Sequence, residues 1–179
     1  DLIKITNKDF ATVSFVSIFV IFIIIAIVFK SISLPVILVS AIEFAIFINM
    51  GIPYYTGATL PFIASIVIGT IQLGATVDYA ILMTNRYKQE RSSGKERKLA
   101  AKDALQATMK SIIVSACTFF GATFGVGAYS SIDMISSLCL LMARGAVISM
   151  VVVLCVLPAL FIIFDKLIVK GSYKFLATK

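Results

Sequence analysis

From Phe10 to Phe29 the chain runs FATVSFVSIFVIFIIIAIVF, about 20 residues without a charge. At 1.5 Å per residue such a helix crosses a hydrocarbon core of about 30 Å. Inside lipid every backbone polar group must be bonded within the protein, so this run commits the chain to helices. Further apolar stretches at about 34–50, 59–84, 111–128 and 135–164 repeat the pattern, and the expected fold is an all-α, polytopic transmembrane bundle of five spans. Composition agrees: 60% of residues are hydrophobic and the mean hydropathy is +1.04. A soluble domain holds about 45–50% apolar residues.

Asp1 to Asp9 reads as a short polar lead-in, and Lys30 to Ser33 as a tight break before Pro35. Gly51-Ile52-Pro53-Tyr54-Tyr55-Thr56-Gly57 reads as an interfacial turn. Residues 85–110 carry eight Lys/Arg against Glu90, Glu96 and Asp103 and are expected to form a basic linker with a short surface helix. Ser93 and Glu96 there have the spacing of a capping box. Pro158 is expected to kink or tilt the last span, and 165–179 forms a tail with four Lys.

The net charge is +7, but the basic residues lie between apolar spans, which excludes a nucleic-acid reading. Lys30, the 85–110 linker and the tail fall on one side of a five-span bundle, with Lys4 and Lys8 on the other. The positive-inside rule therefore puts the linker and the C-terminus in the cytoplasm of a multi-pass plasma-membrane protein. Cys117, Cys139 and Cys155 lie in apolar segments without CxxC spacing, so neither disulfide nor metal site is expected. The chain begins at Asp1 with no basic segment before its first apolar run, and is expected to be a fragment of a larger protein.

Chemistry concentrates in GTIQLGATVDYAILMTNRYKQE, residues 69–90. A carboxylate at the centre of a membrane helix costs roughly 2.5–3.5 kcal/mol, so Asp78 is read as a proton-binding group. Thr70, Gly74 and Asp78 recur at i, i+4, i+8 and form one small, polar face. Tyr79 points about 100° away, suited to hydrogen bonding a carboxylate on a facing helix. Glu43 lies at a depth similar to Asp78 and is its more natural neighbour. Arg144 is expected in the outer half, either clamping backbone carbonyls or modulating the acid. Gly121 and Gly125, at GxxxG spacing, are expected to pack helices closely together with Gly74, and Ser111, Ser115 and Thr118 share one face of that span.

GATVDYAILMTNRYKQER, SIIVSACTFFGATFGVGAYS and SSLCLLMARGAVISMVVVLCVLPALFIIFDKL together resemble the last five transmembrane helices of an MMPL-type transporter of the resistance-nodulation-division superfamily. The likeness runs from about Phe10 to Leu167. It implies the second of two repeats, with the N-terminal transmembrane repeat and the extracytoplasmic domains elsewhere in the same polypeptide. It further implies a proton relay, with Asp78 and Tyr79 matching the family motif, no cofactor besides the proton as coupling ion, and export of lipids or other hydrophobic compounds. Glu43 and Arg144 match no relay position. A non-transporting, sterol-sensing-like lipid-binding or scaffold domain is the alternative. An intramembrane aspartyl protease is disfavoured, since no second acid motif faces Asp78 and Asp133 lies in an outer turn.

Overall fold

A computed structural model of the chain describes residues 2–57 and 64–171. It is the all-α bundle expected, with five helices long and apolar enough to cross a membrane. These are α1 (Leu2–Phe29), α2 (Ser33–Thr56), α3 (Ala64–Ser92), α4 (Arg97–Tyr129) and α5 (Asp133–Gly171). Even the shortest, α2 with 24 residues, extends about 36 Å and exceeds the hydrocarbon thickness.

The helices overrun the expected spans. Asp1–Asp9 is not a separate lead-in, because α1 already starts at Leu2. Nor does Gly51–Gly57 form a turn: α2 continues through Pro53 and stops only at Gly57, whose φ of 67° is the left-handed conformation that glycine adopts freely. Its N–H bonds the Pro53 carbonyl, and Thr56 Oγ1 donates to the Ile52 and Pro53 carbonyls. These bonds answer carbonyls at the helix end, while the Asn49 carbonyl, which Pro53 has no N–H to meet, accepts from Arg144 instead, so the helix need not break. The expected start of the third span, near Thr59, lies outside the described residues.

Residues 85–110 are also not a linker. α3 runs on to Ser92 and α4 begins at Arg97, so the connection shrinks to a four-residue turn with Gly94 at φ 84°. The capping box does not form there: Ser93 Oγ donates to the Gln89 carbonyl, and Glu96 caps α4 without a side-chain bond. Lys30 also takes a positive φ, 49°, in the break between α1 and α2. α5 is helical straight through Pro158.

α5 packs along α4 and against α2 and α3, while among the described residues α1 packs only on α2 and α3. The core is built from Leu38 and Ile42 of α2, Leu73 and Met83 of α3, Ala104 of α4, and Leu157 and Phe161 of α5. Outward-facing Phe15, Phe19 and Ile27 make α1 a lipid-facing helix.

Candidate functional site

α3 has two distinct long sides. Ile71, Gly74, Asp78, Leu82, Asn85 and Gln89 are exposed, spaced three or four residues apart, and so form one continuous stripe. Leu73, Val77, Ala80, Met83 and Tyr87 are buried against the bundle. Asp78 stands at the middle of the open stripe and has no hydrogen-bond or ion-pair partner among the described residues. The neighbouring hydroxyls are satisfied locally: Thr70 Oγ1 donates to the Ile66 carbonyl at 2.9 Å and Thr76 Oγ1 to the Gln72 carbonyl at 2.6 Å. The carboxyl has no such local partner among the described residues.

Tyr79 does not share that stripe. It is buried, beside a gap of about 10 Å³ that it lines with Gln72, Thr76, Phe119 of α4 and Ser149 of α5. The ring therefore points into this bundle, and the expected reach to a carboxylate on another one is not presented at the Asp78 face.

Beside Tyr79 lies a buried polar network that joins three helices. Asn49 Nδ2 of α2 donates to Gln72 Oε1 of α3 at 2.8 Å and to the Leu141 carbonyl of α5 at 3.2 Å. Gln72 Nε2 in turn donates to Ser149 Oγ at 3.0 Å. Arg144 closes it, with Nε 2.8 Å from Asn49 Oδ1 and Nη2 2.7 Å from the Asn49 carbonyl. Of its two expected roles the structure shows the backbone clamp; the guanidinium is not brought to Asp78. Asn49, Gln72 and Ser149 were not singled out by sequence as a network. The available signal was three uncharged polar residues, each alone within an apolar run.

Glu43 is not a neighbour of Asp78 either. It lines a crevice between α1, α2 and α3, whose α3 wall is Gly69 and Leu73. Gly69 precedes Asp78 by nine residues, which at 100° per residue places the two on opposite sides of α3. The helix itself separates the two acids.

The expected packing glycines are open. A Cβ placed at Gly74, Gly121 or Gly125 meets nothing within 4 Å, so among the described residues close packing belongs to two other glycines. At Gly127 a Cβ would come within 2.9 Å of the Leu140 side chain, and at Gly145 within 2.7 Å of both Asn49 and Gln72. Ser111, Ser115, Thr118 and Gly121 of α4 face outward with the Asp78 stripe as unpartnered surface.

At the opposite end from the Gly57 turn, a charged junction ties α3, α4 and α5. Tyr87 stacks on Phe161 at 4.7 Å and donates to Asp165 Oδ1 at 2.6 Å. Arg91 holds the same carboxylate in a two-pronged bond, at 2.9 and 2.8 Å. Lys95 bridges Glu90 and Asp103, each at 2.6 Å. These two bonds raise the Lys95 ammonium above its usual range, with Asp103 the larger cause and Glu90 the second.

The model of the MMPL family matches residues 1–171. The chain belongs to the MMPL family. It is a multi-pass membrane domain of the resistance-nodulation-division type, and MMPL proteins are a transporter family. No curated protein gives a significant match to the chain.

Proposed function

We propose that this MMPL domain is the C-terminal membrane half of an exporter of lipids or other hydrophobic compounds, driven by the proton-motive force, in the plasma membrane. The Arg91–Lys95 junction and the C-terminal tail face the cytoplasm in this reading, in keeping with the bias of Lys and Arg toward that side. Asp78 loads and releases the proton. The observation that carries the reading is its position: an unpartnered carboxyl, one turn from Gly74, on the face of α3 that the bundle leaves open.

A carboxyl so placed is sensitive to whatever covers it. Desolvation by an approaching helix favours the protonated form, while an approaching cation or hydrogen-bond donor favours the ionised one. Alternating neighbours therefore alternate its proton affinity. Each proton moving inward releases about 2.3 kcal/mol per 100 mV and about 1.4 kcal/mol per pH unit, enough to bias a conformational cycle. Tyr79 serves from inside the bundle, where its packing against α4 and α5 fixes the rotation of α3 and hence the aim of Asp78.

The test is proton-coupled transport by the full-length protein in sealed vesicles. Asp78→Asn should abolish coupling while the protein still inserts and folds. Undiminished coupling would sink the relay role of Asp78, while a wild type that carries no proton-coupled transport would leave the non-transporting, lipid-binding or scaffold reading in its place.

A further inference from the structure

The crevice that holds Glu43 is unused by the proton reading. It measures about 310 Å³ and opens between α1, α2 and α3. Its walls are mostly apolar, with Ile46, Phe47, Met50 and Leu73, and its only polar side chains among the described residues are Ser14, Ser17 and Glu43. Small-molecule sites have this composition, an apolar cavity of about 300–1,000 Å³ with a few convergent polar groups. Gly69 forms part of the wall, and a Cβ there would meet nothing within 4 Å, so the space extends up to the α3 backbone.

Glu43 is half-buried and has no hydrogen-bond or ion-pair partner among the described residues. No Lys or Arg is among the residues that line the crevice. An ionised carboxylate held in hydrocarbon is costly until a cation meets it, and the pairing then favours the charged form. A bare metal ion is a poor candidate, since one carboxylate and two hydroxyls fall short of the six to eight oxygens that calcium takes or the octahedral shell that magnesium needs. An ammonium carried on an apolar chain satisfies both parts of the site at once. The volume, at the low end of the range, suits one chain rather than two.

We propose that this crevice binds a single-chain cationic amphiphile, its ammonium on Glu43 and the Ser14 and Ser17 hydroxyls, and its chain along Phe47 and Leu73. The site lies on the side of α3 away from Asp78, hence away from the face open to a partner bundle, and is reached from lipid. Its occupancy requires no step of the proton cycle, so failure of binding and failure of coupling are separate results.

The experiment titrates dodecylamine and dodecanol into the full-length protein in nanodiscs of zwitterionic lipid, with empty nanodiscs subtracted. Dodecylamine should bind the wild type at least about tenfold more tightly than dodecanol, and Glu43→Gln should remove that preference while leaving dodecanol unchanged. Gly69→Phe, which fills the crevice without a backbone clash, should weaken both probes about tenfold. Equal binding of amine and alcohol to the wild type overturns the proposal. So does a preference that survives Glu43→Gln, or amine binding that is indifferent to Gly69→Phe; the last result decides alone if Glu43→Gln fails to fold.

Discussion

Arg144 of α5 grips Asn49 of α2 at two points, its side-chain oxygen at 2.8 Å and its backbone carbonyl at 2.7 Å. The second contact matters because Pro53 has no N–H to give to the Asn49 carbonyl four residues earlier, so the guanidinium supplies the bond that the helix lacks there. A lysine has no planar fork and cannot make both contacts in this geometry. Hydrogen bonds between membrane helices average about 0.6 kcal/mol, but this one is charged and doubled. A double-mutant cycle on Arg144→Ala and Asn49→Ala, which keeps the backbone contact and so reads the side-chain bond, should give a coupling of about 1 kcal/mol by thermal unfolding in detergent. Arg144→Lys should recover less than half of it.

Close packing gives the second expectation. Gly145→Ala places a methyl 2.7 Å from both Asn49 Nδ2 and Gln72 Oε1, so the network must shift, at a cost of about 1–3 kcal/mol. Gly121→Ala meets open space and should leave the stability of this half unchanged or slightly raised, since alanine is the better helix former. Equal destabilisation by the two would contradict the packing described here.

This pair also marks the limit of what the sequence tells. GxxxG spacing at Gly121 and Gly125 is a local pattern, and it does say that a backbone can approach there. Whether one does depends on which helix lies opposite, and in this chain none does. The reverse holds for Gly145, which has no motif around it and owes its role to Asn49 and Gln72, 96 and 73 positions away in the chain. The spans themselves were legible because lipid imposes them residue by residue. Their ends were not, because a helix boundary is set by who bonds the last carbonyls, as Thr56 and Gly57 do after Pro53. Asp78 was legible as an anomaly in an apolar run. That Glu43 lies across α3 from it could not be seen, since depth is read from position along a span and side is read only from packing.

The charged junction yields a third prediction. Asp165 is buried and receives Tyr87 and both prongs of Arg91. Asp165→Ala leaves the largely buried Arg91 with its bond to the Lys95 carbonyl but no counter-charge, and should destabilise the domain by about 3–5 kcal/mol, the range for one partner lost from a buried pair. Tyr87→Phe keeps the stack on Phe161 and removes only a bond to a charged acceptor, about 1.5–3 kcal/mol. The order of the two melting temperatures checks the assignment.

Lys95 supplies a pH expectation. Its ammonium is raised above the ordinary lysine value of 10.5 by Asp103 and then Glu90. A cation whose folded pKa is raised stabilises fully below the unfolded value and loses that contribution as the pH climbs through the folded one. The α3–α4 turn should therefore hold unchanged from pH 7 to 9 and loosen only above pH 10.5. Limited proteolysis at residues 92–96 across that range is the readout, and Lys95→Met should show the alkaline susceptibility already at neutral pH.

The open stripe of α3 allows the fold of this domain to be tested separately from the docking proposed for Asp78. Gly74 lies one turn before Asp78, exposed, with nothing near the position of a Cβ. Gly74→Leu therefore inserts a side chain into space that this chain does not use, and a helix interior gains by losing a glycine. The isolated half should melt at the same temperature or higher. If Asp78 works as proposed, the same leucine stands in the full-length protein where a partner helix would come close to cover the carboxyl, and transport should fall by at least about tenfold. Restored transport with Gly74→Ala and loss with Gly74→Leu, at equal membrane insertion, is the size dependence that close docking demands. Full transport with Gly74→Leu would show that nothing packs on this stripe, and Asp78 would then face lipid rather than a second bundle.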